Sequence, residues 1–319
     1  MKDLFLIGAE QKSKVMNDWE QFKKAIVLKM DGTTKETTRV IEYVSPLKVC
    51  PDEKASISFT AGTVRDNQLY VGTQTEVLVF DLLTSKMIDY VSLPLFNDVH
   101  HVTPRKNGNL LVANTGLDMV AELDRKGQVV NLWNVMGDDP WSRFSPDIDY
   151  RKIANTKPHM SHPNFVFELN GEVWVTRCLQ KDAICLNDSQ KRIDIGRQLI
   201  HDGVIYNGKI YFTQVDGRII IVNSSTLKVE REVNLVEISK HKEKIGWCRG
   251  IKPLSEELIL IGFSRIRPSS KKTADGKTYY VGDYGVMPTR LACYNIHSNT
   301  LLWEKNLEEQ NMNVIYSIH

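Results

Sequence analysis

Four of the chain's eight histidines stand in three short segments, Val99-His100-His101, His162-Pro163-Asn164 and His201-Asp202-Gly203. Imidazole is a common metal ligand when neutral, and it is the side chain whose proton affinity lies nearest pH 7. His100 or His101 together with His162 and His201 would make a facial ligand set for Zn²⁺, Mn²⁺ or Fe²⁺, with positions left open for water and substrate. Such an ion acts as a Lewis acid or generates hydroxide. Without an ion the same rings are acid and base, or they simply hydrogen-bond backbone groups around a solvent-filled space. Asp98, Asp118 and Asp202 are the carboxylates placed for proton transfer, with Asp202 favoured because it adjoins His201. Its place in His-Asp-Gly suits a turn equally well.

A cation completes the set. Arg249, in Cys248-Arg249-Gly250, would present a planar fork that binds carboxylate, phosphate or sulfate through two parallel hydrogen bonds. A salt bridge to Asp202 is the plainer alternative. Arg265 and Arg267 would reinforce an anion site or, as loop residues, lie solvated; Trp247 would stack on a ligand or pack between blades; and Asn164 and His101 complete the expected substrate-binding residues. Cys248 has a cation beside it but no base at a recognisable spacing, so an inert thiol is expected. His159 and Trp141 fall in a separate segment, and either reach the channel from it or, as the default, lie at the surface. Phosphate loops, dinucleotide fingerprints, Ser-centred elbows and HExxH are absent from the sequence.

These residues need a scaffold that brings distant segments together, and the sequence supplies one by repetition. One hairpin recurs in DNQLYVGT, NGNLLVAN, NGEVWVTR, NGKIYFTQ and SEELILIGF. A second strand ending in Asp or Asn before a polar turn recurs at Asp31, Asp81, Asp124, Asn187, Asn223 and Asn295. Side chains of these two types bond nearby backbone N–H groups and tolerate left-handed geometry. Apolar alternation marks strands throughout, and only Met16 to Ala25 reads as a helix. Four short antiparallel strands repeating along a chain are the signature of β-propeller blades. Six blades are counted, all-β and of four strands each, forming a single domain over 1–319. The first blade is split: the N-terminus gives its middle strands, and residues 313–319 supply the innermost one and close the ring.

The chemistry-bearing segments then fall at corresponding places, the start of each blade's innermost strand, where six strands surround one channel. Two stretches exceed the repeat. Residues 134–161, with Trp141, Arg143, Phe144 and Tyr150, are expected to form a lid, because their aromatic rings need something to pack on. Residues 265–289, rich in Lys, Ser and Gly, are either a lid or unstructured.

With 41 Lys+Arg against 39 Asp+Glu, the net charge of +2 offers no broad field for nucleic acid or a membrane surface. Five scattered cysteines with no C-x-x-C pair argue against a disulfide framework and point to a reducing, cytoplasmic setting. The apolar run after Lys2 and Asp3 is too short for a signal segment, and no later stretch approaches a membrane span.

The segments NDVHHV, SHPNFVFELNGEVWV, HDGVIYNGKIYF and GWCRGIKPLSEELILIGFSRIR resemble an uncharacterised family of bacterial six-bladed propellers, over residues 57–319. The architecture is more distantly similar to the gluconolactonase and strictosidine synthase propellers, whose carboxylate and Asn metal ligands and catalytic Glu find no matching positions here. The resemblance implies the fold and a channel cluster of His100, His162, His201 and Arg249, and no reaction carries over. The expectation is an enzyme for a small, anionic metabolite in the central channel, a hydrolase, lyase or cyclase. It would use His100, His162, His201 and Asp202 with or without a divalent ion. The alternative is a non-catalytic propeller that binds a ligand or a protein partner, since fold alone does not decide function.

Overall fold

The computed structural model describes residues 2–13, 22–53, 55–273 and 277–319. It contains six four-stranded antiparallel sheets arranged as the blades of a propeller. Blade one is built as expected from both chain ends, with Val314–Ile318 innermost, followed outward by Leu4–Gln11, Phe22–Met30 and Thr37–Tyr43. The innermost strands of blades two to six are Gly62–Arg65, Val99–Pro104, Pro163–Leu169, Ile200–Tyr206 and Trp247–Pro253. Most of the helix expected over Met16 to Ala25 lies outside the described residues, and its last four residues, from Phe22, belong to a strand.

The polar turns form for the reason read from the sequence. The Oδ1 atoms of Asp31, Asp81, Asp124, Asn223 and Asn295 each accept a backbone N–H two to four residues ahead. Blade four differs: Asn187 reaches across to the Val173 N–H, and its neighbour Asp188 caps the turn.

No sheet has a core of its own. The six largest apolar clusters lie between sheets, each joining two adjacent blades: Ile7 and Val27 with Phe59 and Leu78, Val77 with Val102 and Val112, Leu111 and Val120 with Val166 and Val175. The series continues with Phe165 and Trp174 against Ile210 and Phe212, Tyr211 and Ile219 against Phe263 and Tyr294, and Leu260 and Leu291 against Leu4 and Ile315. Six small interfaces thus replace one large core, which is how a chain of 319 residues stays well packed.

One local irregularity recurs where it matters. In blade three Val99 pairs with Asn114 and His101 with Ala113, so His100 is an extra, unpaired residue. The same bulge falls on His201 in blade five and on Tyr316 in blade one. Register also shifts between Pro163 and Val166 in blade four and between Cys248 and Ile251 in blade six, spanning Asn164 and Arg249. A bulge breaks the period-two alternation and re-aims a side chain. Here it adds a channel-facing residue to the innermost strand.

Candidate functional site

Bulging settles which of the paired histidines joins the cluster. The His100 ring lies 4.8 Å from that of His162 and 6.0 Å from that of His201, measured between centroids. His101, one residue on, packs its ring against Phe165 at 5.0 Å instead, and burial pushes its imidazole down to about 4. His100 Nδ1 lies 2.9 Å from the main-chain oxygen of Asp98, a contact in which the nitrogen donates. The lone pair of Nε2 is then left for a metal or a proton.

His162 is brought to this point by a buried carboxylate. Asp118, 1% exposed, accepts the backbone N–H groups of Met160 at 2.7 Å, Ser161 at 2.9 Å and His162 at 2.8 Å. Arg143 Nη1 adds a fourth bond at 2.7 Å, and its Nη2 donates to the carbonyl of Pro158 at 2.9 Å. The acid/base candidate Asp118 therefore has its oxygens engaged and serves to shape the 158–162 loop. This loop also delivers His159. Far from lying at the surface, His159 places Nδ1 2.7 Å from Nδ1 of His162, with the two rings stacked at 5.0 Å.

Among the described residues, the donor atoms that gather closely enough for a metal belong to Asp98, His159 and His162, all within 4.8 Å of one another. The sequence-based ligand set was His100, His162 and His201; only His162 belongs to this group. His100 stands beside it, and the His201 ring lies 6.0 Å from that of His100. Two imidazoles and one carboxylate suit Fe²⁺, Mn²⁺ or Zn²⁺. The rings are in the right protonation state, since burial holds His162 well below its ordinary value and lowers His159 against the pull of Asp98 and Asp118. The short Nδ1 to Nδ1 contact needs one proton between two nitrogens, and a cation would take that proton's place.

The opposite wall is cationic. Arg249 is 8% exposed, and its Nε and Nη1 have no hydrogen-bond partner. Its guanidinium carbon lies 4.5 Å from the Tyr316 ring centre and 5.3 Å from that of Trp247. Arg267 joins it, 4.8 Å from the Trp247 ring and 5.1 Å from that of Phe22. Burial, opposed by Tyr316 and aided by the charge of Arg249, pushes Arg267 down to about 10, so it stays protonated at neutral pH. Burial tends to raise the Tyr316 phenol, but the charges of Arg249 and Arg267 outweigh it and the net direction is down. His201 bridges the two walls, its ring 6.2 Å from that of Tyr316. Burial, then the charge of Arg249, holds it neutral, and its Nδ1 has no partner.

Three expected site residues stand apart from this arrangement. Arg265 is spent structurally: Nε and Nη2 grip Glu308 at 2.8 and 2.6 Å, and Nη1 donates to the carbonyls of Gly285 and Val286. Asn164 donates from Nδ2 to the Ile200 carbonyl at 2.8 Å, tying blade four to blade five. Asp202 is 4% exposed, its Oδ1 accepts the Gly203 N–H at 2.8 Å, and burial pushes it up to about 7. No salt bridge joins Asp202 to Arg249. Cys248 is fully buried and raised well above its ordinary value by burial, as an inert thiol should be. All five cysteines are unbonded and buried.

Neither insertion is a simple lid; each hands one side chain to the channel. Residues 134–161 pack Trp141, Phe144 and Tyr150 on Leu117 and Met119 and contribute His159. Residues 265–289 form the hairpin Ser269–Lys272 and Thr278–Val281, and Arg267 enters at its base. Sequence reading did not single out Tyr316, nor Asp98 and His159 as ligands. The signal for Tyr316 was the closing strand itself, which has to face the channel as the other five do.

No helix among the described residues is long and apolar enough to cross a membrane. No family model matches the sequence, and no curated protein matches it. Solved structures share its architecture. A protein of unknown function from Bacteroides caccae is 14% identical over 100% of this chain and 98% of its own, with a TM-score of 0.63. A "putative 6-phosphogluconolactonase" from Bacteroides uniformis is 11% identical over 100% of this chain and 99% of its own, with a TM-score of 0.52. Streptogramin B lyase covers 81% of this chain and 85% of its own at 13% identity and a TM-score of 0.48. At these identities the likeness is one of fold.

Proposed function

We propose that the protein is an enzyme that binds a small anionic metabolite across the channel mouth. The anionic end is held by Arg249 and Arg267, and the reacting end meets the imidazole and carboxylate wall of blades three and four. One observation supports this above the others: a buried guanidinium with two unpartnered N–H positions faces the same channel as a cluster of neutral histidines. Burying such a donor without a partner is costly unless something else supplies one.

Asp98, His159 and His162 would hold a divalent ion, which when bound supplies Lewis-acid polarisation of an oxygen or a metal-bound hydroxide. His100 keeps Nε2 free by donating through Nδ1 and is the nearest base. His201 lies between the walls, its ring 6.0 Å from that of His100 and 6.2 Å from that of Tyr316. Base and Lewis acid side by side serve hydrolysis, elimination and cyclisation alike, and all three keep the reading within one class of chemistry. Free, buried thiols agree with a cytoplasmic setting.

Elemental analysis of untagged protein should find Zn, Mn or Fe at close to one ion per chain. Chelation should strip it, and Asp98→Asn and His162→Ala should lower its retention by at least about tenfold. A chain that takes up none of the three metals would remove the ion from this reading and leave the imidazoles as acid and base.

A further inference from the structure

We propose that the cationic wall of the channel is built for the phosphoryl group of a phosphate monoester. This rests on reading the channel as a small-molecule site and names the class of molecule. The chain provides its own control. Its other well-buried arginines are neutralised by carboxylates: Arg105 by Glu122 and Glu168, Arg177 by Asp182, Arg290 by Glu304 and the more exposed Arg265 by Glu308. Arg249 and Arg267 break that habit. The groups facing them are Trp247, Tyr316, Phe22, Tyr284 and His201; Asp202 is near enough to feel the charge of Arg249, but no salt bridge joins it to either arginine. Asp202, the acid nearest in sequence, has an oxygen committed to the Gly203 N–H.

Two partly or fully buried positive charges without a counter-ion form half of an ion pair. A single carboxylate or a sulfate monoester brings one negative charge and leaves the other cation uncompensated. A phosphate monoester brings close to two at neutral pH, on three oxygens that can take N–H groups from both forks. The aromatic surfaces under the guanidinium planes, at 4.5 to 5.3 Å, fix their orientation, and although both forks also reach the Tyr316 side chain, Arg249 keeps Nε and Nη1 without a partner. From this wall the ring of His201 is one step of 6.2 Å from Tyr316, and His100 a further 6.0 Å. A phosphorylated metabolite with a few atoms between phosphate and reacting group would span that path.

Calorimetric titration of the intact protein with inorganic phosphate tests this without knowledge of the substrate. Saturable binding at millimolar phosphate or below is expected, with methyl sulfate, a sulfate monoester of single charge, and malonate weaker. Arg249→Gln and Arg267→Gln should each weaken phosphate binding about tenfold or more, and Arg249→Lys should fall between. Arg197→Gln, at an exposed arginine paired with Glu232 outside the channel site, should leave phosphate affinity unchanged. Should Arg249→Gln fail to fold, as judged by circular dichroism, Arg267→Gln and Arg249→Lys carry the test. Malonate binding more tightly than phosphate, phosphate binding indifferent to the folded arginine variants, or no anion binding at all would each overturn the proposal. Metal content separates this from the preceding reading: an ion held at Asp98, His159 and His162 with no phosphate bound sinks the phosphate assignment alone. Phosphate bound by a chain that holds no metal leaves the assignment standing and removes the metal.

Discussion

A single carboxylate at Asp118 holds three consecutive backbone N–H groups and one guanidinium, so it acts on the site through geometry. Replacing it by Ala would orphan those donors at a buried position, and loss of stability of about 3 kcal/mol is expected from the buried-acceptor and ion-pair terms together. Because the same loop carries His159 and His162, metal retention should fall even under conditions where Asp118→Ala remains folded. Arg143→Ala should cost less, since Arg143 is partly exposed and its pair is screened. Thermal denaturation and metal content of both variants check this. Asp202 behaves in the opposite sense. Its carboxyl is raised from 3.8 to about 7 by burial, so the folded chain holds the proton more tightly than the unfolded one. Its contribution is fully present below pH 3.8 and is lost as pH rises through about 7, to a limit of ~4 kcal/mol. Asp202→Asn should flatten stability against pH over that window and raise the melting temperature above it; a variant with an unchanged pH profile would contradict this. The sequence showed His100, His162, His201 and Arg249 because each sits at the mouth of a repeated strand. It left His159 and Arg267 undecided between channel and solvent, since both return from insertions, and it hid the choice between His100 and His101, which depends on a bulge.

Bulges and insertions are the elements that turn a repeat into a site. Turn residues and alternation made the strands legible, since an Asp or Asn before a polar turn has one good use and apolar period two has another. A bulge leaves no such mark: His100, His201 and Tyr316 each occupy a slot that strict alternation does not contain. Crowding around the bulged strands offers a test. A Cβ on Gly250 would lie 2.8 Å from the Ser317 Cα and 3.0 Å from the Tyr316 carbonyl oxygen, so blades six and one touch through that glycine. Gly250→Ala must push the two innermost strands apart, and with them Arg249 and Tyr316. Anion binding should weaken at least as much as in Arg249→Lys, with about 1 to 3 kcal/mol of stability lost to the overpacking. Metal retention at the far wall should be intact. Equal loss at both walls would mean that the two halves of the site are not positioned independently.

Closure of the ring makes all six interfaces depend on one strand. Removing 314–319 deletes Val314, Ile315, Tyr316 and Ile318, which are 0%, 0%, 8% and 3% exposed. It also breaks the pairing of Leu6 with Ile318 and of Ala9 with Val314. Burial at roughly 1.5 to 3 kcal/mol per large apolar side chain puts the direct loss near 6 to 12 kcal/mol, the same size as the total stability of an ordinary domain. An opened ring would expose the edge of Leu4–Gln11 and the blade-six face that packs on Ile315, including Leu260 and Leu291. The truncated chain should therefore aggregate or lose its cooperative transition, even though five blades keep every strand. Deleting the hairpin Ser269–Lys272 and Thr278–Val281 removes a longer stretch, from outside the ring, and should shift the melting temperature by only a few degrees. Scanning calorimetry of the two deletions compares them directly. If the truncated chain melts cooperatively at the temperature of the intact one, closure by the terminal strands contributes nothing, and Tyr316 is held by something other than the ring.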